Sequence, residues 1–179
     1  ETNADGQFSL QRAIVTEADS TFITISLTET QRVHALKISG VRGGDGASLF
    51  LSMGANAIAD VAQNQNMDQK GIFVLEYADI VSPFLLNATV DLGTGIVTIL
   101  ASETIDIVPN TNVMLNHLFF DLTPTNTGNS KRENISLDSA TVLGSDSIVM
   151  SIQMTEEQRV ILIAHSSTPG GDGTASKFN

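Results

Sequence analysis

Apolar and polar residues alternate along much of this chain in short runs. In residues 21–27 (TFITISL), Ile23, Ile25 and Leu27 alternate with Phe22, Thr24 and Ser26, the period of two that marks a half-buried strand. Residues 147–154 (SIVMSIQM) alternate in the same phase. Similar runs predict strands at 8–15, 47–53, 71–77, 85–92, 95–100 and within 113–122. Leu86, Ala88, Val90 and Leu92 fall on one face, and Gly93-Thr94 joins two runs as a hairpin. Residues 17–20 (EADS) read as a turn, 55–64 as a single helical turn or tight loop, and 1–7 and 123–134 as polar connections.

Two segments break the period. Thr28-Glu-Thr-Gln31 and Thr155-Glu-Glu-Gln158 are capping boxes, in which Thr accepts from free amides and Gln reaches back three residues. They predict a short helix over about 29–38 and its counterpart, with Val33, Leu36, Val160 and Ile163 inward and Arg32 outward. Short strands spaced by Gly, Asn and Asp turns, with one short helix per repeat, predict an all-β sandwich.

The two capped segments belong to a longer duplication. Residues 8–51 and 135–178 align without a gap at an offset of 127, with seventeen identical positions. These include Ser9, Leu10, Asp19, Ile25, the Thr28, Glu29, Gln31 and Arg32 group, and Gly43 to Gly46. An internal repeat of this kind marks serial modules.

Composition narrows the function. Nine basic against twenty acidic residues, a net charge of −11, oppose phosphate binding and so argue against a nucleic-acid partner. No apolar run approaches the length of a membrane-spanning helix. The absence of Cys excludes disulfides, zinc–thiolate sites and Cys nucleophiles. Opening at Glu1 without a signal sequence, the chain reads as processed or excerpted.

The candidate chemistry is sparse. Gly43-Gly-Asp-Gly46 and Gly170-Gly-Asp-Gly173 offer Asp45 and Asp172, with carbonyls freed by glycine, as oxygen ligands for Ca²⁺. The competing reading is a tight turn whose Asp bonds its own backbone. No Lys-Ser/Thr follows the glycines, so they form no phosphate loop. His34, His117 and His165 lack an accompanying nucleophile pattern, and His34 and His165 are not equivalent in the repeat, so no enzyme is expected. Arg32 and Arg159 are expected to pair with nearby carboxylates. Asn87-Ala-Thr and Asn134-Ile-Ser fit the N-glycosylation pattern on outward strand positions.

Residues 82–107, SPFLLNATVDLGTGIVTILASETIDI, resemble the opening of the bacterial Ig-like modules of adhesins and S-layer proteins. Ala101-Ser102-Glu103 stands where Phe-Ser-Glu is usual, and Asp60-Val-Ala-Gln-Asn64 resembles the closing Asp–small–small–Gly–Asn loop, with Gln63 in place of Gly. The repeated block resembles a variant found in tandem in very large surface proteins of marine microbes. The resemblance implies Ig-like β-sandwich modules. Residues 1–77 would be the second half of one module and 78–179 the first three-quarters of the next. It further implies an extracellular or cell-surface structural, adhesive or filament role, with copies of the chain or neighbouring modules joined head-to-tail by strand complementation or tandem linkage. At a module junction Asp60 and Asn64 become further Ca²⁺ ligand candidates. A carbohydrate- or surface-binding module is the alternative.

Overall fold

The computed structural model describes residues 7–121, 134–173 and 177–178. The expected linker 1–7, save Gln7, and the expected loop 123–134, save Asn134, lie outside them. The chain divides into two compact units, Glu1–Val81 and Ser82–Asn179. Both are β-rich and each carries one helix.

The first unit holds β1 (Ile14–Val15), β2 (Ile25–Ser26), α1 (Glu29–Lys37), β3 (Phe50–Met53) and β4 (Gln69–Phe73). The second holds β5 (Leu85–Asp91), β6 (Ile96–Ile105), β7 (Phe119–Asp121), β8 (Asn134–Ser136), β9 (Thr141–Leu143), β10 (Ser147–Gln153), α2 (Glu156–Ala164) and β11 (Lys177–Phe178).

The second unit consists of two antiparallel sheets, ordered β5-β6-β10-β9 and β11-β7-β8. The β5–β6 connection is the predicted hairpin. Asp91 Oδ1 accepts from the Gly93 and Thr94 amides, and Gly95 takes a positive φ of 73° that favours glycine. Val97 and Ile99 of β6, Met150 and Ile152 of β10, Phe120 of β7, Ile135 of β8 and Leu162 of α2 form one core shared by both sheets. Ala88, Val90 and Leu92 pack against it as the alternation predicts. Leu86 is exposed, because the β5–β6 register shifts between Leu85 and Asn87.

Two sequence expectations need correction, the place of His117 and the inward face of α2. The strand expected within 113–122 is β7, and ahead of it Asn110–Asn112 and Leu115–His117 form 3₁₀ turns. There the Asn112 amide donates to Pro109 O and the Val113 amide to Asn110 O, local bonds that preclude a strand. His117 therefore sits in an exposed turn, not in an apolar strand. On α2 the inward residues are Gln158 and Leu162, while Val160 is 50% exposed against 1% for Leu162. The spacing of four places Gln158 and Leu162 on one stripe, and Val160, two residues from each, falls opposite.

In the first unit the β1–β2 pair matches Ile14 with Ser26 and Val15 with Ile25. Its counterpart β9–β10 matches Thr141 with Gln153 and Val142 with Ile152, the same register shifted by the repeat offset. β3 pairs with β4, with Phe50 and Phe73 edge-to-face at 6.1 Å.

Candidate functional site

The helix start is the most elaborate feature that the two units share. Both capping boxes form: Gln31 N donates to Thr28 Oγ1 (3.3 Å) and Thr28 N to Gln31 Oε1 (2.9 Å), with Gln158 and Thr155 repeating this at 3.2 and 2.8 Å. The same glutamines do a second task that the motif does not announce. Buried Gln31 donates through Nε2 to Ser9 O (3.0 Å) and Gln11 O (2.9 Å), and buried Gln158 donates to Ser136 O (2.8 Å). Gln158 therefore ties α2 to β8, and Gln31 ties α1 to the Ser9–Gln11 segment at the start of the first copy. Sequence reasoning saw only the cap. The available signal was the joint identity of Ser9, Leu10 and Gln31 with Ser136, Leu137 and Gln158.

Both arginines pair as expected. Arg32 Nε and Nη2 grip Glu29 at 2.8 and 2.9 Å, and Arg159 grips Glu156 at 2.7 and 2.6 Å. This fork geometry is that of a bidentate guanidinium–carboxylate pair. The hydrogen bonds from Arg159 hold the Glu156 carboxyl below its ordinary pKa, and Glu156 raises Arg159 in turn. The remaining Nη1 differs between units: Arg32 donates to Asp79 Oδ2 (2.7 Å), Arg159 to Leu92 O in the β5–β6 turn (2.8 Å).

Beyond each helix the Gly-Gly-Asp-Gly turn folds back on it. A Cβ on Gly44 or Gly171 would run into the carbonyl oxygen of Ser39 or Ser166, so only glycine fits. Asp45 Oδ1 accepts from Ala47 N (2.8 Å), an Asx turn, while Asp172 Oδ2 lies 3.3 Å from His165 Nδ1. Asp60 and Asn64 are brought together, but by bonding each other. Asn64 N and Nδ2 donate to the two carboxylate oxygens at 2.8 and 2.9 Å, and the Asn64 side chain is the main cause of a lowered Asp60 pKa. Gln63 takes a φ of 69° there, the left-handed conformation for which the resembling loop uses glycine.

Asp45 and Asp60 thus have hydrogen-bonding partners within their own turns, and Asp172 faces His165 at the end of α2. Among the described residues no three His, Asp or Glu side chains converge as a metal site. Asn87 on β5 and Asn134 on β8 are both exposed. A concavity of about 380 Å³ in the first unit is walled by Leu36, Val41, Leu49 and Val74, with the Arg32–Asp79 pair also lining it. Its lining includes no histidine. The features that the sequence singled out are therefore organised as turns and clamps. No family model, no curated protein and no solved structure matches the chain.

Proposed function

We propose that this chain is a structural, adhesive repeat segment of an extracellular filament or cell-surface assembly, built from Ig-like sandwich modules joined head-to-tail. The observation that carries the reading is what the two copies have in common. The identical residues with described side-chain bonds are scaffold: Thr caps, Gln clamps, Arg–Glu pairs and glycine turns, on strand pairs of one register. A duplication that repeats a frame and no reactive constellation suits a load-bearing module. Its task is to resist extension through ladders of antiparallel hydrogen bonds.

Stretching single chains tethered by their two ends tests this. The second unit is expected to yield in one discrete force peak, lengthening the chain by roughly 30 nm for about a hundred residues at 3.3–3.6 Å each. Extension without a resolved peak would overturn the load-bearing role.

A further inference from the structure

The two copies of the repeat differ most in what covers them. In the second unit Met150, Ile152 and Met154 are 6%, 0% and 4% exposed, whereas their counterparts Ile23, Ile25 and Leu27 are 53%, 40% and 40% exposed. Val15 is also exposed, while its counterpart Val142 packs against the core. The cover in the second unit comes from residues 82–121. β6 pairs along β10, β7 pairs with both β8 and β11, and Val97, Ile99, Ile107 and Phe120 complete the core. In the first unit β2 and β3 each have a strand partner on one side only among the described residues.

Two polar ties point the same way. In the second unit Arg159 Nη1 donates to Leu92 O, and Asp146 Oδ1 accepts from Ile107 N at 3.1 Å. Both partners lie in residues 82–121. The identical residues in the first copy are Arg32, whose Nη1 turns to Asp79, and Asp19, which is exposed. The first copy thus retains an apolar face, strand edges and the exposed carboxylate of Asp19, all matched to a segment of known design.

We propose that the open face of the first unit is a docking site for a β5–β6–β7 segment from a further repeat of this kind. The inference rests on the reading of the chain as serial modules. It also commits to a donor other than the chain's own residues 82–121. Those already pair with and pack against the second copy, so the first copy calls for a further donor segment. A second identical chain supplying its donor would uncover its own β8, β9 and β10.

The test is the full chain with an extra copy of residues 82–127 joined ahead of Glu1, which preserves the 127-residue spacing. Hydrogen exchange is followed at micromolar concentration and low salt, with amides 150–154 as the internal standard of a covered strand. Amides 23–27 should exchange roughly 100-fold more slowly in the extended chain than in the unmodified one. Fluorescence of an apolar dye should fall in parallel. An added segment carrying Asp at its positions equivalent to Val97 and Ile99 should restore fast exchange.

Unchanged exchange at 23–27 in an extended chain whose 150–154 remain protected would overturn the proposal. So would equal protection by the Asp-bearing segment, or protection already present in the unmodified monomer. Protection in the unmodified chain that rises with concentration while 150–154 lose theirs would identify a second copy as the occupant and equally overturn it. The force measurement probes the second unit's own strands, so the docking site and the load-bearing role fail separately.

Discussion

Leu162 and Val160 show how much one residue's phase on a short helix decides. Leu162 faces the core while Val160, two residues before it, faces solvent, and the counterpart of Leu162 in the first copy is only Ala35. Truncating Leu162 to Ala removes a fully buried side chain and is expected to destabilise the second unit by about 2–5 kcal/mol. Val160→Ala should stay within about 0.5 kcal/mol, both read from the calorimetric melting of the chain. Comparable losses would mean the helix sits in the phase that periodicity alone suggests. Asp60 makes a separate, pH-dependent statement. Its folded-state pKa is lowered by bonds from Asn64, so the turn gains stability at pH values above the ordinary carboxylate value and loses it as acid protonates the folded carboxyl. Exchange protection of the Asn64 amide should therefore fall as pH drops below about 4 in the native chain. Asp60→Asn should remove that acid step while leaving protection at Thr94 unaffected.

At the scale of elements, the glutamine clamp is the joint on which each repeat turns. Thr155→Ala removes one cap and is expected to cost about 1 kcal/mol. Gln158→Leu fills similar space but leaves Ser136 O without its side-chain donor (2.8 Å) and strips the Thr155 amide of its partner. Leaving such groups unsatisfied costs about 1–3 kcal/mol each, so Gln158→Leu should exceed Thr155→Ala in denaturant melts. Equal effects would reduce Gln158 to a cap. This difference also marks what was legible in the sequence. Capping boxes, the β5–β6 hairpin and the inward phase of β10 follow from local patterns, because a cap needs Thr and Gln three apart and a half-buried strand needs period two. The clamp bonds residue 158 to residue 136, and no local pattern encodes a bond across twenty-two positions. The same limit explains why the strand within 113–122 is as short as β7 and why His117 falls in a turn. The apolar residues of that run suit a strand, but Pro109 and Asn110 set up turns from outside it. For the Gly-Gly-Asp-Gly loops, both a turn and an ion site suited the residues; Asp45 bonds the Ala47 amide as a turn requires.

For the whole molecule, two features act against each other. The chain carries a net charge of −11, yet its first unit presents Ile14, Phe22, Ile23, Ile80 and Val81 to solvent. Charge repulsion between chains extends over a screening length of about 30 Å at 0.01 M salt and about 10 Å at 0.1 M. Attraction between apolar faces acts only at contact and does not weaken with added salt. Repulsion should therefore keep the chain monomeric at low ionic strength, and association should rise as salt screens it. Sedimentation of the unmodified chain between 0.01 and 0.5 M NaCl is expected to show this rise. Ile25→Asp combined with Leu27→Asp should abolish it, because the substitutions put charge on the uncovered face without touching the second unit's core. A chain whose open face is covered by the added 82–127 segment should likewise remain monomeric at high salt. Association that persists in both would place the sticky surface elsewhere, with the exposed Phe84 and Leu86 of the second unit the next surface to substitute.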